Sequence, residues 1–103
     1  MAHVLVLYNA PADPAAFDHY YHQTHVPLAN KIPGLRSNSI SKGAVSALAG
    51  GPAPYLVATL FFDSMADVQA GLASPEGQAA AGDLPNFATG GATLLIYESE
   101  LVF

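Results

Sequence analysis

The sequence has no cysteine and no tryptophan, and it sets three basic residues, Lys31, Arg36 and Lys42, against eight acidic ones. Without cysteine there is no disulfide framework, no thiolate nucleophile and no thiolate metal site. Three scattered cations in a chain of formal charge −5 cannot build a basic patch, which excludes nucleic acid and anionic membranes as partners. Charged residues make up 11% of the chain, against the roughly 25% usual for soluble domains. Long apolar runs are also missing. The N-terminal run Val4 to Tyr8 is far too short for a signal-peptide core or a membrane span, so the cytoplasm is the expected location.

Apolar residues, by contrast, make up 51% of only 103 positions. A single domain over residues 1–103 is expected, and a domain of this size hides a limited fraction of its surface. The surplus predicts a second copy as cover: a homodimer, or a dimer of dimers.

One stretch organises the chain: Phe17-Asp18-His19-Tyr20-Tyr21-His22-Gln23-Thr24-His25-Val26-Pro27-Leu28, with three of the four histidines and two of the five tyrosines. Asp13 can cap a helix here, with Pro14 as its first residue. Phe17, Tyr20 or Tyr21, Thr24 and Leu28 recur at the helical period and predict a face packed on a sheet. Asp18, Tyr21, His22 and His25 fall on a neighbouring stripe. Pro27 removes a donor and Val26 before it favours extended geometry, so a kink or restart is expected just after His25.

Around this stretch, His3 to Tyr8 reads as a strand buried on both faces. After the Pro33-Gly34 turn, Leu35 to Lys42 reads as a half-exposed strand with Ser37, Ser39 and Ser41 on one side. Tyr55 to Phe62 is the clearest strand. Ser64 with Asp67 three residues on forms a capping-box signature opening a helix to about Leu72, and Ser74-Pro75 restarts it. Thr93 to Phe103 reads as the last strand. The order βαββαβ is the ferredoxin-like unit of the α+β class, a four-stranded antiparallel sheet with the helices on one face. The bare face calls for the sheet of a second subunit, giving a dimeric α+β barrel.

Two separated segments carry a resemblance. Phe17-Asp18-x-Tyr20-Tyr21-x-x-x-His25-x-Pro27-Leu28 with Ile32-Pro33-Gly34-Leu35 resembles the first-helix signature of the EthD family. Ser74-Pro75-Glu76-Gly77-Gln78-Ala79 with Asp83-Leu84-Pro85-Asn86-Phe87 resembles its second-helix segment. The resemblance covers nearly the whole chain. It implies a dimeric α+β barrel and bacterial small-molecule catabolism, the founding member belonging to an ether-degrading oxygenase system. More distant barrel relatives include cofactor-free monooxygenases, isomerases and polyketide-modifying enzymes. The family's hallmark histidine maps onto His25. His19, His22 and the alanine- and glycine-rich second half depart from the pattern.

The chemistry then centres on His25, an imidazole that can take and give a proton near neutrality. The bland alternative is a helix cap bonding a carbonyl freed by Pro27. Tyr21, one turn earlier, can orient His25 or bond a substrate oxygen; a core aromatic is its alternative. Asp18 can hold the tautomer of His22, with a pair of solvated surface residues as the equal alternative, and Arg36 can fork onto a carboxylate or pair with an acidic neighbour. Phe61, Phe62, Phe87 and Tyr97 are most simply core aromatics, some of which line any apolar pocket. Asp18, His22, Arg36, Phe61, Phe87 and Tyr97 are therefore the candidate substrate-binding residues. His19, His22 and His25, at steps of three, turn about 60° further round the helix each time and cannot easily meet one ion, so no metal is expected. Gly50-Gly51 and Gly90-Gly91 are turns rather than phosphate loops, so no nucleotide cofactor is expected. The resulting expectation is a cofactor-free oxidoreductase or isomerase acting on a small apolar, oxygen-containing compound, with a non-catalytic accessory to an oxygenase as the alternative.

Overall fold

Alternation along the strands decides which side of the sheet becomes the core. In β1 (Ala2–Tyr8), Ala2, Val4, Val6 and Tyr8 are buried while His3, Leu5 and Leu7 are half-buried. In β3 (Leu56–Phe62), Leu56, Ala58, Leu60 and Phe62 are buried in the same way. The computed structural model describes residues Met1–Phe103. Its sheet runs in the order β2-β3-β1-β4, every neighbouring pair antiparallel, with β2 spanning Leu35–Ile40 and β4 spanning Ala92–Glu98. The helices lie on one face. This is the ferredoxin-like βαββαβ arrangement expected from the sequence. No helix is long and apolar enough to cross a membrane.

Three caps fix where the helices start. The Asp13 carboxylate accepts from the Ala16 N–H at the head of α1 (Pro14–Tyr20). Ser64 accepts from the Asp67 N–H at the head of α3 (Met65–Ala73). Ser74 accepts from the Gly77 N–H at the head of α4 (Pro75–Asp83), so the chain turns between two helices without an intervening loop.

Four expectations are corrected. β1 is fully buried only on its helix side, because no layer of this chain covers the other face. The last strand ends at Glu98; Ser99 donates its N–H to the Met1 carbonyl and Glu100 to Phe103 lie outside the sheet. β2 stops at Ile40, after which the Ser41 hydroxyl accepts from the Val57 N–H and closes the sheet edge.

Val26, expected to be extended, is also helical, although a new α-helical segment does begin just after His25. The first helix widens into a π-helical turn over Tyr21–His25 and runs on as α2 (Val26–Ala29), with Val26 in helical conformation at φ −57° and ψ −47°. The Val26 N–H reaches back five residues to the Tyr21 carbonyl, which accommodates Pro27 one position later. The wider turn moves the buried face: Phe17, Tyr21, His25 and Ala29 point inward at steps of four, while Thr24 is exposed and Leu28 half-buried.

Candidate functional site

The π turn delivers His25 to the interior with 7% of its surface exposed. Polar side chains this deep need partners, and His25 has two. Its Nδ1 lies 3.0 Å from Asp83 Oδ2, and the Tyr8 hydroxyl lies 3.5 Å from its Nε2. Asp83 comes from the end of α4 and is itself 6% exposed. Its other oxygen, Oδ1, accepts from the Tyr20 hydroxyl at 2.6 Å and from Asn86 Nδ2 at 3.0 Å. Burial alone would raise the Asp83 pKa, but the donors from Tyr20, Asn86 and His25 outweigh it and hold the carboxyl below its ordinary range. An ionised Asp83 can only accept, so the hydrogen-bond network assigns the proton to Nδ1 and leaves the Nε2 lone pair facing Tyr8 and the cavity.

Burial lowers the His25 pKa, and this outweighs the opposing pull of the Asp83 hydrogen bond and charge. The imidazole therefore stands neutral near pH 7, backed by a fixed anion. Burial, reinforced by the charges of Tyr21 and Asp83, pushes the Tyr8 hydroxyl well up; burial alone takes Tyr21 to about 12. Neither is a base near neutral pH, and the Tyr8 hydroxyl donates to His25 Nε2.

A cavity of about 50 Å³ opens beside this pair, walled mainly by apolar side chains including Val6, Ile32, Leu60 and Leu94. On the α4 side its wall is Gly77, Ala80 and Ala81, which is what the alanine- and glycine-rich second half provides. Gly77 is required for a second reason. A Cβ there would overlap the Gly71 carbonyl oxygen and stand 2.8 Å from the Leu72 Cα, so α3 and α4 approach too closely for any larger residue.

Among the residues singled out from sequence, His25, Tyr21 and Phe87 come together. The Phe87 ring lies 4.6 Å from the His25 ring, and the Tyr21 ring 5.5 Å, with no hydrogen bond between Tyr21 and His25. The hydroxyl at Nε2 belongs to Tyr8 instead, and the His25 Nδ1 goes to Asp83 rather than capping a helix carbonyl.

Asp18 and His22 lie elsewhere, on an open groove of about 520 Å³ between the first helix and the loop around Gly43 and Pro54. There Asp18 accepts from the Tyr55 hydroxyl at 2.8 Å and makes no bond to His22. Phe61 and Tyr97 project from the opposite face of the sheet, where both rings pack on His3, so strand alternation keeps them out of the His25 cavity. Arg36 is exposed and its Nε sits 3.5 Å from Asp63 Oδ1, an ordinary surface pair.

Sequence reasoning missed Asp83, Tyr8, Tyr20 and Asn86 as parts of the site. Asp83 and Asn86 stand in the quoted Asp83-Leu84-Pro85-Asn86-Phe87 segment, so a signal was present but read only as the exit from a helix.

The comparisons agree with this frame. An uncharacterised 11.0 kDa protein from the thcB–thcC intergenic region of Rhodococcus erythropolis is 46% identical over 103 residues, covering 99% of this chain and 98% of its own. The crystal structure of an EthD family protein from Bacillus halodurans is 35% identical, covers 97% of this chain and 99% of its own, and superposes with a TM-score of 0.86. SnoaB, a cofactor-independent oxygenase from Streptomyces nogalater, is 14% identical over 98% of this chain and 94% of its own, with a TM-score of 0.68, a likeness of fold alone. Two ferredoxin-like neighbours, from Thermobifida fusca and Bacteroides fragilis, are described as dimeric; they are 15% and 18% identical with TM-scores of 0.66 and 0.63. The EthD domain model matches residues 9–91, a span that begins where β1 ends and takes in both His25 and Asp83; the chain belongs to the EthD family.

Proposed function

We propose that this protein binds a small apolar, oxygen-containing compound in the cavity between the first helix and the sheet, and that His25 Nε2 transfers a proton to or from it. The observation that carries this reading is a buried imidazole, held through Nδ1 by a fully hydrogen-bonded carboxylate, on the wall of an apolar cavity. Such a base takes a proton from an acidic C–H or O–H of the bound compound, and the imidazolium formed is stabilised by Asp83. The substrate anion is held by hydroxyl donors, for which Tyr8 and Tyr21 are the candidates. Returned to another carbon, the proton completes an isomerisation; with dioxygen as co-substrate, the same anion is the electron donor of a cofactor-free oxidation. The fold shared with a cofactor-independent oxygenase supports that class of chemistry. Tyr21 assists by packing on the imidazole.

The working form in this reading is a homodimer. The uncovered sheet face carries Leu5, Leu7, Phe61, Leu95 and Tyr97, with Leu95 and Tyr97 still 45% and 42% exposed, and a second copy is the natural cover.

The test is turnover of a panel of lactones, quinols, phenols and tertiary ethers by wild type and by His25→Ala. Turnover lost with the fold intact is the expected result, and unchanged turnover contradicts the mechanism. A compound bound by both forms and released unaltered would make the protein a carrier.

A further inference from the structure

The His25 cavity contains another polar group that the proton-transfer reading does not use. Asn38 lies in β2 and pairs with Leu60 across to β3, which turns its side chain to the helix side of the sheet. It lines the same cavity as His25, among Ile32, Leu60, Leu72 and Leu94. Its Nδ2 donates to Asn30 Oδ1 at 3.1 Å, and Asn30 is the residue that ends α2. That bond fixes the amide plane. Asn38 Oδ1 is buried and has no hydrogen-bond partner at all. A buried carbonyl oxygen without a donor is costly and uncommon, and this one, closed off within the wall of the cavity, gains a partner only when a donor enters there.

We infer that Asn38 is the specificity residue of this cavity: its Oδ1 accepts a hydrogen bond from an O–H or N–H of the bound molecule. This rests on the reading of the cavity as the binding site. The walls supply the affinity for an apolar body, and Asn38 supplies a demand for a donor. Phenols, alcohols and enols meet that demand. A hydrocarbon leaves Oδ1 as unpaired as before, and an ether or ketone oxygen, which only accepts, does the same. The selected class is therefore a small apolar compound bearing a hydroxyl or N–H. A site built to bond a ligand hydroxyl discriminates strongly against the analogue that lacks it, because its own polar group is left unpaired.

The full chain tests this with p-cresol and p-xylene, which differ by a hydroxyl in place of a methyl. Affinities come from NMR titration, with shifts of the Leu60 and Leu94 methyls reporting occupancy of this cavity. Wild type is expected to prefer p-cresol by at least about tenfold. Asn38→Leu, close in volume, should abolish the preference through loss of p-cresol affinity while p-xylene still binds. Asn30→Asp can only accept, so it forces Asn38 Nδ2 outward and Oδ1 inward; the preference should survive in it. This surface variant keeps the test open should Asn38→Leu fail to fold. An equal or reversed preference in wild type, an unchanged one in Asn38→Leu, its loss in Asn30→Asp, or no binding of either probe in the cavity overturns the inference. His25→Ala is read by turnover and Asn38→Leu by the p-cresol preference, so a failure of His25 chemistry and a failure of Asn38 recognition are separately visible.

Discussion

The two helical halves pack on the same sheet and contribute opposite things. The first, Pro14–Ala29, is bulky: Phe17, Tyr20, Tyr21 and His25 fill the interior, and the Phe17 and Tyr21 rings stack 5.7 Å apart, nearly parallel. The second, Met65–Asp83, recedes, with Gly77, Ala80 and Ala81 lining the cavity beside the first half. One half supplies the reacting group, and the other supplies room and a single anchoring carboxylate. A cavity with a fixed imidazole on its wall needs both, since large residues in both halves would close it and small ones in both would leave His25 unheld.

Breaking the receding half should have the largest effect. Gly77→Val pushes a side chain into the α3 backbone, which cannot yield; a loss of about 3 kcal/mol or more is expected in chemical denaturation, or no folded protein. Removing the anchor comes next. Asp83→Ala leaves the Tyr20 hydroxyl, Asn86 and His25 Nδ1 without their shared acceptor, and a loss of about 3 kcal/mol is expected together with loss of turnover. A stability unchanged by Asp83→Ala would show that the first half holds His25 by itself.

Acid sharpens the comparison without a mutation. His25 takes up a proton near 6.5 when unfolded and only at lower pH when folded, so the unfolded chain binds more protons in between and stability falls as pH drops below about 6.5. Asp83 contributes stability above its ordinary value of 3.8, and this is lost as pH falls through the depressed folded value. Thermal melts across the acid range should show both losses, the first missing in His25→Gln. On the bare sheet face, Tyr97→Glu should turn a dimer into monomers in sedimentation while leaving the His25 cavity as it is. The smallest effect belongs to Arg36→Ala, within about 0.5 kcal/mol of wild type, because its partner Asp63 is as exposed as Arg36 itself.

The fold was legible because its signals are local. Asp13, Ser64 and Ser74 cap the helices they precede, and the alternating strands carry their own burial pattern. The π turn was not legible, since Pro27 reads as a breaker by nearest-neighbour sterics, and only the bond from Val26 back to Tyr21 shows that the helix absorbs it. That single wider turn put His25, rather than Thr24, on the buried face. Asp83 stands 58 residues from His25, and no periodicity links positions so distant. Phe61 and Tyr97 were recognisable as packed aromatics, but the side of the sheet they take depends on register, which the pairing with His3 fixes.

The central claim is that Asp83 holds a neutral His25 with its Nε2 lone pair toward the cavity. The nitrogen-15 spectrum of the His25 ring, recorded near neutral pH in wild type and in Asp83→Asn, tests it most directly. The expected wild-type result is a protonated Nδ1 and an unprotonated Nε2, with that preference weakened in Asp83→Asn. A proton on Nε2, or on both nitrogens, in the wild type would contradict the account.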